Sequence, residues 1–308
     1  MKTINVVNGP RNVPAIIQGC MRMPALSVTD AAKVIRNAYD LGVTFFDHAT
    51  CYGNGEAEKR FGDAFRLAGL RREDVYIQSK CGLHFDRQEF DWSRDDIIAS
   101  AEESLARLGT DYLDVLLLHR PDLLYEPEQV AEAFDVLHSQ GKVRYFGVSN
   151  VSPGQLELLG KYVKQPLVIN QLQFSLDQAQ LIDTSLYVNN LTTERSVDRD
   201  NGLIDYCRLK DITIQAWSPL QAGMFQGCFV DDPKYPALNK ALGEVAEKYS
   251  VSKTAVAIAW ILRHPARMQA IVGTMNPGHL KDICAGADIT LTHQECYKLY
   301  LASGRKLP

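Results

Sequence analysis

The sequence predicts an α/β fold of the (β/α)8 type, a TIM barrel in a single domain over residues 1–308, with an N-terminal β-hairpin closing the barrel floor. Three observations predict it. Eight short apolar runs recur along the chain, separated by helical patterns, with no linker or low-complexity segment. Several runs are almost continuously apolar, as parallel strands buried on both faces require. No Gly-x-Gly-x-x-Gly follows the first run, which weakens the competing architecture, an open doubly wound sheet.

Residues 3–13, with the turn Asn8-Gly9-Pro10, read as a hairpin ahead of the first strand. Strands are expected at 15–20, 43–47, 75–80, 113–119, 143–148, 167–170, 212–217 and 270–273. Helix punctuation lies between them. Ser27 precedes Val34, Ile35, Ala38 and Leu41, and Gly42 stops the pattern. Ser93 and Asp96 predict a capping box ahead of Ile97, Ala101, Leu105 and Leu108, with Gly109 as the stop. Pro127 suits the first turn of a helix carrying Val130, Phe134 and Leu137 and ending near Gly141. Residues 172–201 form a long connection of weak periodicity, a pattern of functional or disordered loops.

Composition narrows the function. The chain has 308 residues, 46% hydrophobic and 23% charged, with a net charge of −4. It therefore lacks the basic field that holds nucleic acid. No run approaches the roughly 20 apolar residues that span a bilayer. The start, Met1-Lys2-Thr3-Ile4-Asn5-Val6-Val7-Asn8, is too short in its apolar part for a signal peptide. The seven cysteines include no CxxC pair, which points away from a zinc site or a disulfide framework and towards reduced thiols in a cytoplasm. No metal is expected. The sequence carries no signal for an oligomeric state.

In such a barrel the active site gathers at the C-terminal ends of the strands. Those positions hold Asp47, Lys80, His119, Ser149-Asn150, Asn170-Gln171 and Trp217-Ser218, with Tyr52 on the loop after Asp47. Taken singly, each has a plainer reading. Asp47 could cap a helix, Tyr52 anchor a loop, Lys80 reach solvent, His119 sit satisfied in the core, and Trp217 end a strand as a core aromatic. Brought to one mouth, they form a set. Lys80 and Asp47 would pair, and the ammonium would favour a phenolate at Tyr52, whose ordinary pKa is about 10. A neutral His119 would hydrogen-bond a substrate oxygen. That is the equipment for protonating a carbonyl oxygen while hydride reaches the carbon.

The stretch Phe46-Asp47-His48-Ala49-Thr50-Cys51-Tyr52-Gly53-Asn54-Gly55-Glu56-Ala57-Glu58 resembles the aldo-keto reductase signature. Asp111-Tyr112-Leu113-Asp114 to His119 is similar to the second signature, and Gly141-Lys142-Val143-Arg144-Tyr145-Phe146-Gly147-Val148-Ser149-Asn150 to the fifth-strand segment. Asn170-Gln171 and Trp217-Ser218-Pro219-Leu220 match in order, so the resemblance covers nearly the whole chain.

The resemblance implies Tyr52 as general acid, Lys80 and Asp47 as its tuning pair, and His119 as substrate orienter. It implies that Ser149, Asn150 and Gln171 hold a nicotinamide carboxamide, that Trp217 stacks on the ring, and that Ser218 and Leu220 belong to the cofactor site. At the adenosine end it implies Gly273, Thr274, His279 and Asp282. Here the sequence departs from the family pattern, with Gly273 at the usual basic position and His279 at the usual Arg. NADP(H) is expected with a modest preference, NAD(H) not being excluded.

The partner the resemblance implies is a small-molecule carbonyl substrate. Loops 86–92, 123–126, 172–201 and 225–235 are expected to line its pocket, with Phe85, Phe90, Trp92, Leu124, Tyr125 and Phe225 giving an apolar mouth. Two alternatives stand beside catalysis by reduction: a Schiff-base lyase acting through Lys80, and a cofactor-binding, redox-sensing subunit with little turnover.

Overall fold

The computed structural model describes residues 1–188, 193–222 and 226–308. Eight parallel strands close on themselves: β1 (Ile16–Gly19), β2 (Phe45–Asp47), β3 (Tyr76–Cys81), β4 (Leu113–Leu118), β5 (Val143–Ser149), β6 (Leu167–Gln173), β7 (Thr213–Trp217) and β8 (Met268–Val272). Chain order is spatial order, and β8 meets β1 from Ala270↔Ile16 to Val272↔Gln18. Closure leaves the barrel without an unpaired edge. All eight expected strands form. Their ends differ from expectation by at most three residues, because pairing with neighbours rather than apolar content decides where a ladder stops.

The floor hairpin also forms, Thr3–Ile4 pairing antiparallel with Val13–Pro14. Its Val6 and Val13 pack inside the barrel with Ile17, Phe45, Val115, Val168 and Ile271. At the same end, buried Asp114 accepts from Arg72 (2.7 Å) and Arg144 (3.1 Å), and both guanidiniums stack on Tyr112. The acid of the second signature thus holds the start of β4, away from the strand ends.

Helices α1 (Val28–Asp40), α2 (Glu56–Ala68), α3 (Arg94–Leu108), α4 (Pro127–Ser139) and α5 (Pro153–Tyr162) follow the first five strands. Ser27 caps α1, and Gly109 ends α3 at φ +65°. Only half of the expected capping box on α3 forms. Ser93 Oγ accepts from Asp96 N–H at 3.4 Å, but the Asp96 carboxylate turns to His84 and Arg87, each at 2.9 Å. A small hairpin after β3, Leu83–His84 with Glu89–Phe90, delivers those partners. No local pattern announces them.

Within 172–201, α6 (Gln180–Leu186) and a 3-10 turn at Glu194–Ser196 lead to α7 (Leu203–Leu209); residues 189–192 lie outside the described residues. This segment is anchored, because buried Asp183 accepts from Tyr300 (2.7 Å) and Arg305 (2.8 Å) near the chain's end. Four more helices complete the set: α8 (Pro236–Tyr249), α9 (Lys253–Arg263), α10 (Pro277–Ala285) and α11 (His293–Ala302). No described helix is long and apolar enough to cross a membrane.

Glycines let helices of the ring approach very closely. A Cβ on Gly62 of α2 would lie 2.5 Å from the Arg107 carbonyl of α3, whereas one on Gly160 of α5 meets nothing. Gly62→Ala should therefore destabilise the fold by about 1–2 kcal/mol, overpacking outweighing helix propensity. Gly160→Ala should be neutral or stabilising by up to about 1 kcal/mol. Chemical denaturation of the two variants checks this; equal stabilities would mean that α2 and α3 separate freely.

Candidate active site

The site is built from where the strands stop. β2 ends at Asp47, and the chain then turns back through Gly53 (φ +59°), Asn54 (φ +51°) and Gly55 (φ +87°) before α2 begins. Three successive left-handed residues need glycine or asparagine, and this sequence supplies them. The reversal leaves Tyr52 over the end of β3. Lys80 and Gln78, two apart on β3, both point into the barrel.

Lys80 is fully buried and does not reach solvent. Its ammonium donates to Asp47 Oδ2 (2.7 Å), the His48 carbonyl (2.6 Å) and Tyr52 Oη (3.1 Å). Burial disfavours that charge, but Asp47 and Tyr52, by charge and hydrogen bond, outweigh it and hold Lys80 above its ordinary pKa. With all three hydrogens engaged and no free lone pair, this nitrogen is unsuited to attack a carbonyl, which argues against the Schiff-base alternative.

Asp47 is held on its other side too. Its Oδ1 accepts from Gln78 (2.6 Å) and Gln171 (3.0 Å), and both amides also donate to Gln215. Gln215 in turn donates to Gln269, and Gln269 to the Pro14 carbonyl on the floor. A buried line of amides thus runs through the barrel from floor to mouth. Sequence reasoning missed Gln78, Gln215 and Gln269; a signal existed, a glutamine on the inward face of an otherwise apolar strand.

Tyr52 accepts from Lys80, so its own proton is free to point into the cavity. Burial pushes its pKa up to about 12, against the lowering influence of Lys80. The expectation of a tyrosine tuned towards phenolate is corrected in this respect. Burial exceeds the ammonium's effect, and the phenol stays protonated at neutral pH.

His119 stands edge-on to Tyr52, ring centroids 5.9 Å apart, and faces the cavity rather than the core. Burial, then Lys80 and Arg120, hold its pKa well below the ordinary value, so the ring is neutral. Its Nδ1 lies 3.4 Å from Cys51 Sγ. Burial raises the Cys51 pKa to about 11, so the thiol keeps its proton. Sulfur is a weak acceptor and imidazole nitrogen a good one, so the thiol donates to Nδ1 and the ring proton resides on Nε2.

These groups open into a cavity of about 1380 Å³. Its wall includes Asp47, Tyr52, His119, Ser149, Asn150 and Gln171, and continues through Trp217, Ser218, Leu220, Gly273 and Thr274. Ser149 donates to the Gln171 carbonyl (3.0 Å), Asn150 to Ser149 Oγ (2.7 Å), and the Trp217 indole N–H to Asn150 (3.2 Å). His279 and Asp282 are exposed on α10 and do not line this cavity. The first N–H groups of α10 are already capped, because Asn276 Oδ1 accepts from Gly278 (2.8 Å) and His279 (3.3 Å).

The expected mouth needs correction. Phe85 and Phe90 line it, but Trp92 is fully buried with Tyr125 packed on it, and Leu124 is 88% exposed to solvent. No described residue of 123–126 or 172–201 lines the cavity; Phe225 lies outside the described residues. The reason is tertiary. Asp122 binds the backbone N–H groups of Trp92 and Leu124 and folds that loop away. Arg22, Arg120, Cys51 and Cys228 line the cavity without having been singled out.

The Cys51 contact predicts a spectroscopic result. In ¹⁵N-labelled protein His119 Nδ1 should have the shift of an unprotonated nitrogen and Nε2 that of an N–H. Cys51→Ser should keep this pattern, and Cys51→Ala should give a mixture. A protonated Nδ1 in the wild type would reverse the assignment.

The family model for the aldo/keto reductase family matches residues 15–300. The chain is 35% identical to an oxidoreductase of Escherichia coli, YdhF, over 90% of this chain and 89% of that protein. It is 34% identical to a 6-dehydroglucose reductase of Agrobacterium fabrum, over 95% of each. A Klebsiella pneumoniae aldo-keto reductase solved in complex with NADPH superposes with a TM-score of 0.76 at 27% identity, covering 97% of this chain and 94% of that one. Barrel, strand-end constellation and family match agree: the chain belongs to the aldo/keto reductase family.

Proposed function

We propose that this protein reduces aldehydes or ketones to alcohols with NADPH, Tyr52 giving the proton to the carbonyl oxygen. One observation carries the reading: a buried ammonium, Lys80, donates at once to Asp47 and to the hydroxyl of Tyr52 at the cavity mouth. Relatives support the cofactor, since the Klebsiella pneumoniae structure is a complex with NADPH.

The cavity has the polarity that a nicotinamide carboxamide needs. Both hydrogens of the Gln171 amide are engaged, leaving its Oε1 as an acceptor, and Asn150 Nδ2 keeps one hydrogen after its bond to Ser149. An acceptor and a donor side by side match a primary amide. Trp217, fixed at its N–H by Asn150, offers a flat face for the ring. Ser218 and Leu220 continue that wall, and Gly273 and Thr274 reach the adenosine end, with His279 and Asp282 outside the cavity on α10. With no arginine on α10 and its first N–H groups capped by Asn276, preference for NADPH over NADH should be modest.

The bound cofactor supplies the hydride. Everything else belongs to the chain. His119 Nε2–H and Tyr52 O–H converge on the carbonyl oxygen and polarise it. Tyr52 passes its proton as charge develops there, a step worth roughly 10²–10⁴-fold. The phenolate left behind faces the Lys80 ammonium, which Asp47 holds in place.

Two outcomes test this. Tyr52→Phe should bind NADPH with wild-type affinity, measured by fluorescence titration, while aldehyde reduction falls by about 10²-fold or more; retention of most activity would remove Tyr52 from the mechanism. In the reverse direction the phenolate is the base, so alcohol oxidation should climb with pH towards the high pKa of Tyr52. Lys80→Met removes the charge that lowers this pKa, so the alkaline limb should move further up or disappear with the activity. An unmoved limb would assign it to another group. A folded, cofactor-binding wild type without turnover on any aldehyde would favour the redox-sensing subunit.

A further inference from the structure

We infer that Arg120 selects carbonyl substrates that carry an anionic group, a carboxylate or a phosphate, and holds that group beside the reacting carbonyl. The inference rests on the proposed carbonyl reduction and adds the substrate class to it.

The cavity wall has an uneven charge. Among the described lining residues, Asp47 is the sole acid, and its charge is matched by Lys80 at 2.7 Å. Arg22 and Arg120 are the remaining permanent charges, both positive. Arg22 donates to the Gly273 carbonyl at 2.9 Å and so sits at the β8 end, beside the residues assigned to adenosine. Arg120 follows His119 at the end of β4, on the side where the carbonyl oxygen is held.

Arg120 lacks the partners such a group usually finds. Among the described residues it has neither an acidic partner nor a hydrogen-bond acceptor; its guanidinium lies over the Trp217 ring, 5.6 Å from the centroid. The nearest acid in sequence, Asp122, has its two oxygens on the N–H groups of Trp92 (3.0 Å) and Leu124 (2.8 Å). Arg120 is half-buried, and a guanidinium cannot shed its proton to escape desolvation. A cation held in a cavity without a counter-ion gains from an anionic occupant, and its forked N–H groups match the two oxygens of a carboxylate or phosphate. Trp217 keeps the fork from lying free in solvent. The apolar side of the mouth, Phe85 and Phe90, suits the carbon skeleton between the two groups.

The test compares anionic substrates with neutral partners: 4-carboxybenzaldehyde against the isosteric 4-formylbenzamide, and glyceraldehyde 3-phosphate against glyceraldehyde. In the wild type with NADPH, kcat/KM should favour at least one anion over its neutral partner by about 10-fold or more, the scale of a hydrogen bond to a charged group. In Arg120→Gln that ratio should fall towards one, and in Arg120→Lys it should survive in part. Which pair responds distinguishes carboxylate from phosphate. Calorimetric Kd values for 4-(hydroxymethyl)benzoate, 4-(hydroxymethyl)benzamide, glycerol 3-phosphate and glycerol, measured with NADP⁺ present, need no turnover and separate the two proposals. Preference for an anion that disappears in Arg120→Gln, in a protein that reduces no aldehyde, would sink the reductase reading and leave this one standing. Equal Kd values within both pairs in the wild type, or ratios unchanged in Arg120→Gln, would overturn the role of Arg120.

Discussion

A single buried carboxylate organises the mouth of this barrel. Asp47 has one oxygen on the Lys80 ammonium and the other on two glutamine amides, all at 3.0 Å or less. An isolated carboxylate or ammonium in this position would be prohibitively costly, and removing either partner would strand the other. The two therefore require each other, and Tyr52 is the third group they hold. Because Lys80 also bonds the His48 carbonyl, the loop that carries Tyr52 is attached to β3 through the same nitrogen. Charge balance and loop geometry are one constraint here.

The amide line beneath Asp47 extends that constraint to the floor. Gln78, Gln171, Gln215 and Gln269 come from four different strands, and each amide joins a neighbour inside the barrel. Every one of these amide nitrogens has an acceptor, though Gln78 Oε1 has no partner, and the directional bonds link the four strands in one register. Register matters because the site is assembled from strand ends. One residue of slip would turn Asp47 or Lys80 out towards the helices.

In the proposed reaction, chemistry and recognition occupy different parts of the cavity. The four groups around Tyr52 are neutral in sum: the Lys80 and Asp47 charges oppose each other, and Tyr52 and His119 are uncharged near pH 7. Such an arrangement suits a reaction in which negative charge appears briefly on an oxygen, since no standing excess of charge has to be reorganised. The uncompensated charge lies on two arginines outside that group. Both come from loops beyond the strand ends, where side chains can vary without disturbing the barrel.

The sequence determined much of this by itself. Eight apolar runs, the Gly and Pro stops, and the hairpin turn were enough for the barrel and its floor, because local periodicity and backbone restriction produce those features. Asp47, Tyr52, Lys80 and His119 were legible because strand ends in such a barrel must converge, so residues far apart in the chain share one mouth by topology alone. Tertiary structure alone decided what each group experiences there. Burial set Tyr52 high despite Lys80, Cys51 oriented His119, and Asp96 left its expected cap for His84 and Arg87. It also placed Trp92 in the core rather than at the mouth and brought Arg22 and Arg120 to the cavity wall. These outcomes depend on long-range packing and on charges meeting across loops, interactions that no local pattern of residues encodes.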